Sequence, residues 1–308
     1  MILDLLTAEC DLGLLGVDND SCRIFHGRGL RYAGLESICV DVFTPVLLVS
    51  AFDESIPDAL IKDWARSMMP RIVHKGLHCI ALLRRYAKPS NMEVLEGEMP
   101  DSVFASEHGA DFELNFSGNQ NVGFFLDAAP ARSWVRQQSG TRKVLNLFAY
   151  TGSFSVAAIQ GGATKVVNVD MSRSAIRTAH ANHCRNFASD SERLAKAKFM
   201  PYEFFRSVSR LAKTGPFDLI IVDPPSFQPG SFVAKSDYPK LIRKLHRLLR
   251  KRALVLAMLN APNLGESFLK ECFAENLPES RYIERLENSA AFPDIDPQRS
   301  LKMQVFSL

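Results

Sequence analysis

The sequence predicts an α/β fold with a doubly wound parallel sheet, preceded by a smaller N-terminal α+β domain. After residue 118, short β-branched runs alternate with glycine-containing turns and helical stretches, a rhythm that produces a parallel sheet covered by helices on both faces. Before that point the apolar runs lie closer together and are separated by proline and glycine. We therefore expect an N-terminal arm or loosely attached helix at 1–22, a small domain at 23–117 and a larger domain at 118–308.

The elements of the small domain are predicted from its apolar runs and its turn residues. Pro57 opens a helix that continues through Trp64 and Met68, because proline is favoured in the first turn of a helix. Residues 88–101 are polar and contain proline, so they are predicted to form a loop. Segments that run continuously or alternate in apolar residues are predicted as strands, at 38–43, 46–52, 78–83 and 110–116.

In the larger domain, predicted strands and helices follow each other in turn. Short, mainly apolar segments indicate strands at 144–148, 165–170, 217–223 and 253–259. Helical patterns cover 153–159, 172–184 and a segment centred on 241–249. Ser172 is a suitable N-cap for the second helix, because its hydroxyl can accept a backbone N–H.

Composition limits the classes of function. The 308 residues include 37 lysines and arginines against 34 aspartates and glutamates, too small an excess for a purely electrostatic nucleic-acid binder. No apolar run approaches the roughly 20 residues of a membrane helix. Because the N-terminus also lacks the basic start of a secretory signal, we expect a cytoplasmic protein without membrane contact. The six cysteines are scattered, which favours reduced thiols and no metal site.

Positive charge is concentrated around the end of the third predicted helix. Leucines at helical spacing accompany the charges, so the favoured interpretation is the solvated face of an amphipathic helix. Contact with RNA phosphates is the alternative. The charged residues are Arg243, Lys244, Arg247, Arg250, Lys251 and Arg252.

A rigid acidic turn follows the strand predicted at 217–223. The turn reads Asp223-Pro224-Pro225-Ser226-Phe227, and its prolines end the strand because they lack N–H donors. Ligands of open α/β sheets bind at the carboxyl ends of the strands. An acid and an aromatic ring at that edge can hold a flat, electron-rich amine or base against a positively charged reactive centre. The alternative is a strand end with a core phenylalanine.

The turn between the first strand and helix of the larger domain suits a nucleoside ligand. Gly152 permits a tight turn, and the helix N-terminus after it favours a negative group such as an amino-acid carboxylate. Asp170 ends the next strand, where a carboxylate can accept both hydroxyls of a ribose; its alternative role is to cap the next helix with Ser172. Because a phosphate-rich dinucleotide would need more glycine, a nucleoside with a small zwitterionic tail, such as S-adenosylmethionine, fits better.

Four ordered motifs resemble those of the bacterial 23S rRNA large-subunit methyltransferases of the I and K types. Gly123–Asp127 with Arg132 resembles the segment GFFLD–R of these enzymes, and Val144–Gly152 their LNLF-YTG form of the first motif. Val169–Ser172 matches VDMS, and Asp223–Phe227 matches DPP-F. The resemblance implies a Rossmann-like class I methyltransferase domain with a seven-stranded, mostly parallel sheet, S-adenosylmethionine as cofactor and rRNA as substrate.

The resemblance also implies the residues of the site. Phe148, Tyr150, Thr151 and Gly152 would wrap the methionine moiety, while Asp170 would bind the ribose. The complete set expected around the cofactor is Phe125, Asp127, Arg132, Asn146, Phe148, Ala149, Tyr150, Thr151, Gly152, Asp170, Met171, Ser172 and Glu203. Asp127 and Arg132 have an ordinary surface ion pair as their alternative. Glu203 stands where the family usually has an aspartate near the adenine amine. The residues expected to act on the substrate are Asp223, Pro224, Pro225, Phe227 and Asn260.

The residues favour a nitrogen acceptor over cytosine C5. Methylation at C5 requires a thiolate that adds to the ring, and no cysteine lies in the turn after residue 222 or in the segment 254–263. Asp223 and the carbonyl of Pro224 can accept from a base, and Phe227 can stack on it. We therefore expect methylation of a guanine nitrogen in RNA.

Alternative functions stay open at this point. A methyltransferase for a protein side chain or a small amine would suit the same turn, and a non-catalytic RNA-binding assembly factor could retain the fold. The small domain is a candidate for RNA recognition, and the oligomeric state is open, with a dimer as one option. The candidate phosphate contacts of the small domain are Arg28, Arg31, Arg71, Lys75, Arg84 and Arg85.

Overall fold

The computed structural model describes residues 2–116, 121–228 and 232–308, and it divides the chain into two compact units. Unit 1 comprises Met1–Leu126 together with Ser289–Asp296, and unit 2 comprises Asp127–Asn288 together with Pro297–Leu308. The expected boundaries at 22/23 and 117/118 differ from this division, in which the first unit extends to Leu126. No separate arm precedes unit 1, and a short segment near the C-terminus returns to it.

Unit 1 is an α+β unit built on a five-stranded sheet. Strand order is β1-β2-β3-β4-β5, and only β3 and β4 are parallel neighbours. β6 and β7 form a separate antiparallel hairpin. The elements are α1 (Ile2–Leu15), β1 (Cys22–His26), β2 (Ile38–Phe43), β3 (Val46–Ala51), α2 (Asp58–Ile72), β4 (Cys79–Arg84), β5 (Asn91–Gly97), β6 (Phe104–Glu107) and β7 (Ala110–Glu113).

Two expectations about unit 1 were wrong. The N-terminal segment is mostly the helix α1, one of the two expected forms, but it is not loosely attached, because its Leu6, Cys10 and Leu14 are buried in the core of the unit. The Nε1–H of Trp64 on α2 donates to the Thr7 hydroxyl over 3.1 Å, which ties the two helices together. The predicted loop at 88–101 contains β5. Backbone hydrogen bonds to β4 stabilise this strand, and its polar sequence gave no indication of that pairing.

Unit 2 is the doubly wound α/β domain, and it contains the predicted seven-stranded sheet. Strand order is β10-β9-β8-β11-β14-β16-β15; β16 alone runs antiparallel to its neighbours. The elements are α3 (Ala129–Gln138), β8 (Lys143–Leu147), α4 (Ser153–Gln160), β9 (Lys165–Asp170), α5 (Arg173–Phe187), α6 (Ser191–Ala195), β10 (Ala197–Pro201), α7 (Phe204–Thr214), β11 (Phe217–Val222), β12 (Phe227–Gln228), β13 (Phe232–Val233), α8 (Ala234–Leu245), β14 (Leu249–Leu259), α9 (Ser267–Asn276), β15 (Arg281–Arg285) and β16 (Lys302–Ser307).

The basic run lies across two elements instead of one helix. α8 ends at Leu245 and β14 begins at Leu249, so Arg250, Lys251 and Arg252 belong to the strand. Leu241, Leu245 and Leu248 are fully buried, and Leu249 is 9% exposed. The apparent helical spacing of these leucines therefore continues past the helix end because all four face the core. All six basic residues are exposed, and Arg250 pairs with Asp218 over 3.2 Å, which agrees with a solvated surface.

Candidate active site

Three loops of unit 2 meet at the carboxyl edge of its central strands. β8 lies between β9 and β11, with Leu147 opposite Val169 on one side and Val222 on the other. The next residues along the chain are Phe148, Asp170 and Asp223. They leave the sheet side by side at the point where the strand order reverses, which is where open α/β sheets bind ligands.

The loop after β8 is held in a left-handed backbone conformation. Phe148 and Tyr150 have φ angles of 57° and 47°, values that cost non-glycine residues free energy and occur mainly at functional sites. Two hydrogen bonds to β9 hold this shape. The Ala149 N–H donates to the Val169 carbonyl over 3.0 Å, and the Tyr150 N–H donates to Asp170 Oδ2 over 2.9 Å.

Gly152 ends this loop where α4 and α5 come close together. Its φ is +83°, and a Cβ at this position would lie 2.9 Å from the Cβ of Ala179 on α5. The Asn182 amide, also on α5, donates to the Thr151 carbonyl over 3.0 Å. Thr151 is buried. Gly152 is therefore required by helix packing as well as by the turn, and Ala179 and Asn182 are two site-forming residues that sequence patterns did not reveal.

Asp170 connects the loop after β8 to the start of α5. Besides Tyr150, it accepts the Ser172 N–H at Oδ1 over 2.8 Å, while the Ser172 hydroxyl accepts the Ala175 N–H over 3.2 Å. The capping role of Ser172 is thus confirmed. An ionised carboxylate offers about four lone-pair positions. Two are used here, so Asp170 retains the capacity to accept two ligand hydroxyls.

A largely aromatic cleft opens beside Asp170. Its side chains are Phe148, Val169, Asp170, Met171, Tyr202, Glu203, Phe204, Phe205 and Phe232. Both carboxylate oxygens of Glu203 accept backbone N–H groups, from Phe205 over 2.9 Å and from Arg206 over 2.8 Å. Glu203 therefore caps α7 and fixes the aromatic wall that begins there. Tyr202, Phe204, Phe205 and Phe232 were not among the expected site residues; the run of aromatics after β10 was the available signal.

The charge of Asp223 is controlled by its surroundings. Burial, and then the charge of Asp127, raise the pKa of Asp223 to about 7, against the opposing effect of Arg132. Arg132 is only 1% exposed, which rules out the surface ion pair considered as its alternative. The structure thus brings Asp127, Arg132 and Asp223 into one electrostatic group at the carboxyl end of β11.

Backbone carbonyls at the end of β14 hold the turn that follows Asp223. The Ser226 hydroxyl donates to the Asn260 carbonyl, and the Tyr238 hydroxyl, buried on α8, donates to the Met258 carbonyl. Lys302 Nζ, fully buried at the start of β16, donates to the Ala261 carbonyl over 2.8 Å. Tyr238 and Lys302 therefore hold the end of β14 and the residues after it, to which the turn is bonded through Ser226; sequence patterns did not reveal these two residues.

Two of the side chains expected to meet the substrate, those of Phe227 and Asn260, are exposed to solvent. Phe227 is 67% exposed, and the Asn260 side chain is exposed. Pro224 is buried and Pro225 partly buried, where they end β11. An exposed phenylalanine that follows a rigid turn is available to stack on a planar ligand.

One expected cofactor contact lies away from the loops of the site within unit 2. Asn146 lies inside β8 with its side chain buried, and its amide donates to Asn168 Oδ1 over 3.0 Å. Asn168 in turn donates to the Ser155 hydroxyl on α4 over 2.9 Å. Strand alternation therefore directs Asn146 into the layer between sheet and helix instead of the loop. Phe125 belongs to unit 1 and is 41% exposed.

The whole arrangement has a counterpart in known proteins. The family model for S-adenosylmethionine-dependent methyltransferases matches residues 22–307. The chain belongs to this family. Within it, the ribosomal RNA large subunit methyltransferase of Deinococcus radiodurans is 30% identical over 302 residues, which are 90% of this chain and 69% of that protein. The suspected relationship to the bacterial large-subunit rRNA methyltransferases is therefore confirmed.

Other proteins similar to this chain extend beyond the part that it matches. Ribosomal RNA large subunit methyltransferase K/L of Shewanella sp. (strain MR-4) is 32% identical over 248 residues, and these cover 75% of this chain but only 33% of that protein. A putative SAM-dependent methyltransferase from Streptococcus mutans shares the fold, with a TM-score of 0.85 at 23% identity over 100% of this chain and 81% of that one. This chain therefore corresponds to about a third of the K/L protein.

The cleft fits the cofactor on which the family depends. Its aromatic wall can hold an adenine, the unused acceptor positions of Asp170 can receive ribose hydroxyls, and the N-terminus of α4 favours a carboxylate. Within the described ranges, no group of three or more histidine, cysteine, aspartate or glutamate side chains is arranged to hold a metal ion. None of the helices that the structure describes is long and apolar enough to span a membrane.

Proposed function

We propose that this chain methylates a base of large-subunit ribosomal RNA, at a guanine nitrogen, with S-adenosylmethionine as the methyl donor. The observation that carries the proposal is the pairing of a carboxyl group that titrates near neutral pH with an exposed aromatic ring on one rigid turn. The turn adjoins the loops that would hold the cofactor. The family members named above as rRNA methyltransferases support the substrate class.

Binding and orientation of the cofactor would fall to the cleft of unit 2. Asp170 would hold the ribose, Met171 and Tyr202 would flank the adenine, and the loop from Phe148 to Gly152 would enclose the methionine moiety. When bound, S-adenosylmethionine supplies a methyl group on a positively charged sulfur that needs no further activation. The protein's task is then to position the acceptor, which can contribute roughly 7–11 kcal/mol to lowering a barrier.

Asp223, Pro224 and Phe227 would position the acceptor base. Stacking on Phe227 is worth about 1–3 kcal/mol, and the carbonyl of Pro224 can accept a hydrogen bond from an amino group. With a pKa of about 7, the Asp223 carboxylate can also take up a proton from the acceptor nitrogen at neutral pH, since a general base is most effective when its pKa is near the working pH.

The cysteines of unit 2 give no support to a covalent cytosine mechanism. Cys272 is buried on α9, and burial followed by nearby glutamates raises its pKa to about 11, so it is protonated at neutral pH. Cys184 lies on α5, on the order of 17 Å along the helix from its start at the site. The remaining four cysteines belong to unit 1, where burial raises the pKa of each.

Labelled methyl transfer tests the proposal directly. We expect the purified chain to transfer methyl groups from S-adenosylmethionine to rRNA taken from a strain that lacks its gene, and not to rRNA from the parent strain. Nucleoside mass spectrometry should then detect a methylated guanosine. Transfer to protein extract instead of rRNA, or appearance of 5-methylcytidine alone, would refute the proposed substrate or the proposed acceptor atom.

A further inference from the structure

Two arginine side chains of unit 1 pack against one aromatic ring. Phe52 follows β3, and the guanidinium carbons of Arg28 and Arg85 lie 4.1 Å and 4.8 Å from the centre of its ring. Arg85 follows β4, the parallel neighbour of β3, and its N–H donates to the Ala51 carbonyl over 2.8 Å. Phe52 and Arg85 therefore leave the sheet together at the carboxyl edge of its parallel strand pair.

The third member of this group is fixed by close backbone packing. Arg28 lies between two glycines: a Cβ on Gly27 would come within 1.8 Å of the Leu35 carbonyl oxygen, and one on Gly29 within 1.7 Å of the Pro293 carbonyl oxygen. The Ile295 N–H also donates to the Gly29 carbonyl over 2.9 Å. The returning segment Ser289–Asp296 thus clamps the turn, which leaves Arg28 exposed at a fixed place.

Among the described residues, no carboxylate lies at ion-pair distance from either arginine on Phe52, although Asp53 and Asp41 are near enough to interact with Arg28 and Arg85 electrostatically. The guanidinium of nearby Arg23 forms an ion pair with Asp41 and donates to both carboxylate oxygens, over 2.7 Å and 3.0 Å. In the chain as far as the structure describes it, neither Arg28 nor Arg85 forms an ion pair with a carboxylate, and Arg85 donates instead to the neutral Asn121 Oδ1 over 2.6 Å. Two other candidates of unit 1 are paired with acids: Arg71 with Asp11, and Arg84 with Asp58 and Glu93.

Neighbouring titratable groups report the same positive field. Burial, followed by the charges of Arg23 and Arg28, lowers the pKa of Arg85. The same causes in the same order lower the pKa of His26 to about 3, so this histidine is neutral at physiological pH. Asp53 has its pKa lowered mainly by hydrogen bonds from Ser55, and the charge of Arg28 contributes least among the causes.

We propose that Arg28, Phe52 and Arg85 form a second RNA site, which binds the phosphodiester backbone of a single-stranded segment without reading its bases. A guanidinium presents paired donors that match phosphate oxygens. Stacking on Phe52 holds both guanidinium groups, of which that of Arg28 is exposed and that of Arg85 is partly exposed. The inference rests on the proposed function, because it takes RNA as the ligand. It adds a contact in unit 1, which the methyl-transfer chemistry does not use.

Salt dependence of RNA binding tests this site. The full chain is titrated with a fluorescein-labelled single-stranded RNA of mixed sequence at 50–300 mM salt, and binding is followed by anisotropy. Affinity falls with salt, and each lost phosphate contact makes the negative slope of log affinity against log salt shallower by about 0.7 for single strands. We expect this slope to become shallower by about 0.7 in Arg28→Gln and by about 1.4 in the double variant Arg28→Gln/Arg85→Gln. Arg28→Lys should leave the slope unchanged but weaken binding, because lysine keeps the positive charge and lacks the paired N–H donors of the guanidinium.

Arg71→Gln is the matched control, because it removes one exposed arginine of unit 1 that is already paired with an acid. Unchanged slopes in the Arg28 and double variants would overturn the site, as would an equal decrease in the Arg71 control. Competition by an acidic peptide of the same charge as effectively as by unlabelled RNA would also overturn it. Because Arg28 is exposed, its single variant decides the matter even if Arg85→Gln fails to fold.

The outcome can be separated from that of the proposed function. Methyl transfer to rRNA and binding of S-adenosylmethionine are measured on the same variants. Weakened RNA binding with normal affinity for S-adenosylmethionine supports the second site. An unaltered salt slope in variants of an enzyme that still methylates rRNA refutes the site and leaves the function standing.

Discussion

Replacement of Asp223 by asparagine should stabilise the protein, and by an amount that depends on pH. The structure raises the pKa of this carboxyl from 3.8 to about 7, first through burial and then through the charge of Asp127. The full difference corresponds to about 4 kcal/mol against the ionised form. Because Asp223 keeps partial contact with solvent, we expect Asp223→Asn to gain about 1–3 kcal/mol at pH 8.

The sign of the pH dependence follows from proton binding. Between pH 4 and 7 the unfolded chain carries an ionised Asp223 while the folded chain holds the proton. The folded state then binds more protons, so the wild-type protein loses stability as the pH rises through this range. Asp223→Asn has no such loss. The stability difference between variant and wild type should therefore be small at pH 4 and reach its full size above pH 7.

Urea unfolding of both proteins at pH 4.5, 6 and 8, without cofactor, measures this difference. Glu192→Gln is a suitable control, because the side chain of Glu192 is 82% exposed and a surface carboxylate of this kind contributes little to stability. A variant that is less stable than wild type at pH 8, or a difference that is the same at all three values, would refute the reasoning. Methyl transfer by Asp223→Asn should fall under all conditions.

Three further predictions concern the site. Phe227→Ala should lower methyl transfer to rRNA by roughly 5- to 150-fold through the loss of about 1–3 kcal/mol of stacking, as measured by steady-state kinetics, while calorimetric affinity for S-adenosylmethionine is unchanged; a loss of cofactor affinity would count against a substrate role. Gly152→Ala should lower the melting temperature and the cofactor affinity, because its Cβ would meet that of Ala179 at 2.9 Å, and Ala179→Gly should restore part of both; failure of this rescue would argue against the packing conflict. Cys184→Ser and Cys272→Ser should each retain the wild-type rate of methyl transfer, and complete inactivation of either would revive the covalent mechanism.

Local sequence patterns determined the framework of unit 2. The valine-rich segment predicted the strand at 165–170 with the bounds that the structure has, and Ser172 caps the next helix as expected. The prolines after Asp223 end β11 because they cannot donate to the ladder. These features were predictable because each depends on neighbours along the chain.

Contacts between distant residues decided the rest. Leucine spacing extended the predicted helix of the basic run past Leu245, although pairing with β11 and β16 draws Leu249 and its successors into a strand. β5 likewise exists because β4 provides its backbone partners. Periodicity in a single segment carries no information about which other strand will pair with it.

The sequence by itself determined which residues stand at the ends of the strands of unit 2 and, through their motifs, the family. Only the tertiary structure decided the chemical state of those residues. Burial beside Asp127 and Arg132 sets the pKa of Asp223, and the approach of Ala179 explains Gly152. The meeting of Arg28 and Arg85 on Phe52 was equally out of reach, because desolvation, steric exclusion and electrostatic fields depend on distance in space and not along the chain.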